Sequence, residues 1–109
     1  MKASDILGFN DLVTKVVTVK KWGCDLTIRE LSLNDGIRWF QMAQKLDDKI
    51  VLDAEDIAAV VAMGVIDPET GEYLFSDDDI PALKSKNRDA LMFLYQEITK
   101  LSGAVAEKN

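Results

Sequence analysis

The residues best suited to chemistry in this chain are its carboxylates, and the most suggestive run of them spans Asp67 to Asp78. A twelve-residue acidic stretch containing a glycine invites comparison with a calcium loop, which needs oxygen ligands at alternate positions and a glycine at the sixth. The register fails. Counted from Asp67 the glycine falls fifth, Thr70 and Tyr73 supply no carboxylate, and the twelfth residue is Asp78 rather than a bidentate Glu. Asp67-Pro68-Glu69-Thr70-Gly71-Glu72 reads instead as a Pro-Gly turn. The triplet Asp77-Asp78-Asp79 after Ser76 suits a helix start, where the macrodipole favours negative charge, better than a metal site.

Other chemistries are missing their parts. The chain contains no histidine, which removes the imidazole needed for Ser-His or Cys-His nucleophiles and for most zinc sites. The single thiol, Cys24, has no second cysteine to pair with, so no disulfide framework exists and a reducing compartment is expected. The six glycines are scattered, with no phosphate-cradling loop, and nothing marks a cleft among the 19 acids. The expectation is a non-enzymatic protein with no catalytic residue, no metal and no cofactor.

The elements that carry these residues are legible from periodicity. Residues 1–13 hold a short apolar set (Ile6, Leu7, Phe9, Leu12) compatible with a helical turn or a docking arm. Thr14 to Trp22 is rich in Val and Thr, and Cys24 to Arg29 alternates, with Cys24, Leu26 and Ile28 on one face. Together they predict a β-hairpin turning near Trp22-Gly23. Ser32 or Asn34 can cap a helix reaching about Leu46, in which Leu33, Ile37 and Phe40 form one stripe and Trp39, Met42 and Leu46 border it. Asp53, Glu55 and Asp56 open a helix over Ile57 to Ile66 that is apolar nearly all round, as expected of a central core element or a subunit interface. Tyr73-Leu74-Phe75 reads as extended. Ser76 caps a short helix that tolerates Pro81, and the last helix runs from about Asn87 to Gly103 on an inner stripe of Leu91, Leu94, Tyr95, Ile98 and Leu101. The expected fold class is α+β: one mostly helical domain over 14–103 with an N-terminal hairpin, a preceding arm, and a frayed tail over 104–109.

At 109 residues, 48% of them hydrophobic, such a domain buries roughly 60 to 70% of its unfolded surface. The net charge of −6 is unevenly spread: +2 over residues 1–46, −10 over 47–79 and +2 over 80–109. This balance disfavours nucleic acid and anionic membranes as partners, and the internal dipole suits contact between copies or with a basic protein. Residues 1–10 lack a signal peptide's apolar run, and the longest uncharged apolar stretch is too short to span a bilayer. What remains is surface for protein contact: Trp22 at the hairpin turn, Tyr73, Leu74 and Phe75 beside the acidic turn, and Met92 and Phe93 off the core stripe of the last helix.

Lys21-Trp22, then Ile28-Arg29-Glu30-Leu31-Ser32, Val65-Ile66-Asp67 through Gly71 to Leu74-Phe75-Ser76-Asp77-Asp78-Asp79-Ile80, and the closing Leu101-Ser102-Gly103 give an order of short motifs over 22–103. In that order the chain resembles the tail assembly chaperones of long-tailed bacteriophages. The resemblance implies a protein of the host bacterial cytoplasm, absent from the mature virion, that coats the tape measure protein as a homo-oligomer. It further implies that an extended form, made by ribosomal frameshifting, engages the tail tube protein, this chain being the short form. Glu107-Lys108-Asn109 can be encoded as GAA-AAA-AAC, which contains a slippery A-AAA-AAC. The alternatives are a structural head-tail joining or tail-terminator subunit, or a small cellular adaptor.

Overall fold

The computed structural model describes residues 1–43 and 53–103. Ile28, Val60, Val61, Val65, Leu94 and Ile98 are wholly removed from solvent, and the elements that carry them form the body of the fold. The hairpin forms where alternation places it. Strands β1 (Thr14–Val19) and β2 (Cys24–Arg29) pair antiparallel with Val17 opposite Leu26 and Val19 opposite Cys24. Gly23 closes the turn at φ 62, a left-handed conformation in which a side chain is strained. Val17, Val19 and Ile28 point inward, whereas Cys24 lies at the strand's end beyond the core and is exposed.

Helix α1 (Ala3–Leu7) makes the arm a helical turn: the Lys2 amide donates to Asp5 Oδ2 at 3.0 Å, but the helix buries nothing. The arm joins the sheet where the Glu30 amide donates to the Val13 carbonyl at 2.9 Å and Glu30 Oε1 accepts from the Val13 amide at 2.8 Å. Helix α2 (Leu33–Ala43) starts on Ser32, whose Oγ accepts from the Asp35 amide at 3.3 Å. The expected extension to Leu46 falls outside the described residues.

Helix α3 (Ala54–Gly64) is the centre of the fold. Asp53 caps it, its Oδ1 accepting from the Asp56 amide at 2.9 Å, and every residue from Ala58 to Gly64 is buried. Continuation of the helix to Ile66 is corrected: Val65 turns to φ −98, ψ 127, and Val65–Ile66 form a third strand, β3, pairing antiparallel with Thr27 and Ile28. Two consecutive β-branched residues after a glycine and before Asp67-Pro68 favour an extended exit from the helix. Tyr73 bridges back to Ile66, and the Leu74 amide donates to the Val65 carbonyl at 3.0 Å; the expected extended segment is confined to Tyr73, because the chain bends at Leu74 and Phe75.

Ser76 and Asp79 form a capping box that opens a 3-10 turn over Asp77–Asp79, continuing into helix α4 (Ile80–Leu83) with Pro81 in its first turn. Helix α5 (Arg88–Leu101) is capped by Asn87, whose Oδ1 accepts from the Ala90 amide at 3.0 Å, and Gly103 follows at φ 87. Its inner stripe is as expected, with Leu91, Leu94 and Ile98 buried and Tyr95 and Leu101 at the margin. Helices α3 and α5 meet so closely that a β-carbon on Gly64 would stand 2.6 Å from both Ile98 Cδ1 and Cγ2. The result is an α+β domain with a three-stranded sheet in the order β1-β2-β3 and helices over its core face. None of its described helices is long and apolar enough to cross a membrane.

Candidate interaction surface

Helix α2 has two apolar faces, and the fold buries the one the sequence places at the margin. At about 100° per residue, Leu33, Ile37 and Phe40 fall within one narrow sector, and Met42 lies roughly opposite Leu33. Trp39 and Met42 pack against the core. Leu33, Ile37 and Phe40, the stripe read from the sequence, are 82%, 49% and 57% exposed. This orientation has a polar cause. Asp35 and Arg38 share the Trp39–Met42 side of the helix, and both find partners on the body of the protein.

The Tyr73 hydroxyl donates to Asp35 Oδ2 at 2.6 Å, a charge-assisted bond between the loop after β3 and the first turn of α2. Arg38 places its guanidinium 3.4 Å from Asp77 Oδ1, and Trp39 Nε1 donates to the Tyr95 hydroxyl at 3.4 Å. Tyr73 is itself held by Arg29, whose guanidinium lies 5.8 Å from the ring centroid while its Nη1 donates to the Gly71 carbonyl at 2.9 Å. Asp35, by accepting the phenol's hydrogen bond, raises the Tyr73 pKa above its ordinary 10.0, and burial adds to the effect. The phenol therefore stays protonated and donating at neutral pH. Its role is to fix the rotation of α2 about its own axis.

Behind this latch lies a hollow of about 190 Å³ between α2, α3 and the loop, lined by Asp35, Arg38, Met63, Tyr73, Phe75 and Ser76. Among the described residues no group of three or more carboxylate or thiol side chains is arranged to hold a metal ion. What the latch presents to solvent is an apolar stripe: three large side chains spanning about 10 Å along one helix. Adjacent exposed apolar side chains at helical spacing form the seam that an amphipathic helix covers in a groove or bundle.

The residues singled out from sequence divide between two ends of the molecule. Tyr73 and Leu74 are exposed beside the latch, with Phe75 tucked against the core. Trp22, Met92 and Phe93 lie toward the hairpin turn and the start of α5. Each is half-buried and, for Trp22 and Phe93, packed on the core, so these two are chiefly the margin of the domain. The Trp22 amide donates to the Val19 carbonyl at 3.1 Å, which folds the turn back and lays the indole against the body. The buried edge of α3 is likewise spent within the chain rather than left for a second subunit. The stripe of α2 was readable as apolar; which of two apolar faces turned outward depended on Tyr73 and Asp77, 38 and 39 residues away.

The fold so described, a helical layer on a small antiparallel sheet with a central apolar helix, is found in a solved protein. The structure of the bacteriophage HK97 tail assembly chaperone superposes with a TM-score of 0.64 at 17% sequence identity, covering 83% of this chain and 85% of that one. The two chains share a fold. No protein-family model matches the sequence, and no curated protein matches it.

Proposed function

We propose that this chain is a tail assembly chaperone of a long-tailed bacteriophage, acting by protein contact rather than catalysis. The observation that carries the reading is the shared fold with the HK97 protein over most of both chains, and the motif order from Lys21 to Gly103 points the same way. In this reading the client is the tape measure protein, long, helical and apolar along one side. The outward stripe of Leu33, Ile37 and Phe40 receives it. A surface of this size gives weak single contacts, so many copies along one client supply the avidity, and release stays reversible. Recruitment of tail tube subunits belongs to an extended form produced by frameshifting near Glu107-Lys108-Asn109. The site of action is the host bacterial cytoplasm.

The test is co-expression with the product of the gene for the long helical protein beside it. The tape measure product is expected to be insoluble alone and soluble with this chain, and the two are expected to copurify. Insolubility in both conditions contradicts the proposal. A tail assembly reading also expects the chain to be missing from purified virions; its presence there in stoichiometric amount favours a structural subunit.

A further inference from the structure

A second surface lies at the far end of the sheet from the tyrosine latch. Strand β2 runs from Cys24 beside the hairpin turn to Arg29, which reaches Gly71. The turn bearing Lys20 and Lys21 is thus separated from the acidic 67–79 segment by the length of the strand, roughly 17 Å. Helix α5 begins at the hairpin-turn end, and two hollows flank its first two turns. One, of about 360 Å³, has Val19, Ala90 and Phe93 in its lining and Lys20, Lys21 and Asp89 about them. The other, of about 140 Å³, is lined by Ile57, Leu83, Leu91 and Met92, with Lys84, Lys86 and Arg88 about them.

Five of the chain's 13 cationic side chains gather here, in a protein whose net charge is −6. Lys84 pairs with Glu55 at 3.2 Å. Among the described residues Lys20, Lys21, Lys86 and Arg88 make no ion pair. Apolar linings with unpaired cations around them define a ligand: apolar side chains to fill the hollows and carboxylates to meet the ammonium and guanidinium groups. We infer that this end of the molecule docks an acidic amphipathic segment of another protein, its apolar side chains seated on either side of α5. The surface is separate from the α2 stripe, and its assignment does not depend on the function proposed above.

Two other occupants fit less well. The acidic end of a second copy carries the needed charge, but several of its groups are engaged at home. Asp77 meets Arg38, Asp79 caps Ser76, Tyr73 is bound to Asp35 and Phe75 packs inward. Nucleic acid would satisfy the lysines, yet it leaves the apolar linings bare and must approach a strongly acidic body.

The test uses the full chain and a fluorescein-labelled synthetic amphipathic helix with Glu on one face and Leu and Phe on the other, followed by anisotropy at low salt. Saturable binding is expected. It should weaken about tenfold in a variant with Lys20→Gln, Lys21→Gln, Lys86→Gln and Arg88→Gln, all exposed positions. A peptide of equal charge with Ser replacing Leu and Phe should bind about tenfold more weakly, and Leu33→Asp on α2 should change nothing. The inference is overturned by absent or non-saturable binding, by equal binding of the apolar-free peptide, or by an unaffected quadruple variant. Tighter binding of a DNA duplex at matched charge assigns the surface to nucleic acid. Concentration-dependent oligomers that dissociate in the quadruple variant assign it to a second copy. Either result also overturns it.

Discussion

The Tyr73 hydroxyl lies 2.6 Å from Asp35 Oδ2, joining two segments 38 residues apart and turning the Leu33–Phe40 stripe of α2 to solvent. Much of how this protein presents itself rests on that bond and on the weaker Arg38–Asp77 contact beside it.

Removing the hydroxyl with Tyr73→Phe should therefore loosen α2 more than it destabilises the fold. The bond is partly exposed and screened by solvent, so the global cost is expected at about 0.5 kcal/mol, below that of a buried hydrogen bond to a charged group. Hydrogen exchange should localise the effect, with faster exchange over α2 and little change in α3 and α5.

The same bond sets an alkaline limit. The Tyr73 pKa is raised in the folded state, so the contact's stabilisation is complete below the unfolded tyrosine value of about 10 and is lost as pH rises through the folded value. In a Tyr95→Phe background, ultraviolet titration should show the remaining phenol ionising above a free tyrosine in the same buffer. Asp35→Asn should bring that titration down.

At the acid end the controlling pair is Lys15 and Glu97, 3.0 Å apart and joining β1 to α5. The Lys15 hydrogen bond holds Glu97 below its ordinary 4.5, with Lys100 contributing. Its folded pKa is depressed, so the contribution is present above the unfolded value and lost as pH falls through the folded one. Lys15→Met should raise the Glu97 pKa measured by NMR and flatten the loss of stability on acidification through that range.

Gly64 should tolerate no side chain. Its β-carbon would meet Ile98 Cγ1 and Cγ2, atoms fixed at the branch point that no rotation of a flexible end can move aside. Gly64→Ala is expected to cost about 1–3 kcal/mol despite the better helix former, a melting decrease of roughly 5–15 °C. Pairing it with Ile98→Ala should cost less than the two separate losses combined.

Much of this architecture can be read from residue order. Alternation in Cys24–Arg29, the Asp53 and Asn87 caps and Gly103 after α5 each mark an element by a local rule, and each element forms where its rule places it. Strand β3 escapes because two residues are too few to show a period, and their pairing with Thr27 and Ile28 is a tertiary event. The stripe of α2 escapes for a different reason. Trp39 and Met42 compete with Leu33, Ile37 and Phe40 for the core, and periodicity cannot choose between two apolar faces. The choice is made by Asp35 and Arg38, whose partners lie across the fold. The cations around α5 come from two stretches, Lys20-Lys21 and Lys84 to Arg88, which meet only when the hairpin turn folds beside the helix.

The central claim, that the outward face of α2 receives a helical client, is tested most directly by copurification of the tape measure product with a Leu33→Asp, Ile37→Asp, Phe40→Asp variant. These side chains are about half or more exposed, so melting temperature should stay within a few degrees of the parent while the client is lost from the soluble fraction. A variant that melts like the parent and still holds the client soluble at the parent's stoichiometry would contradict the claim.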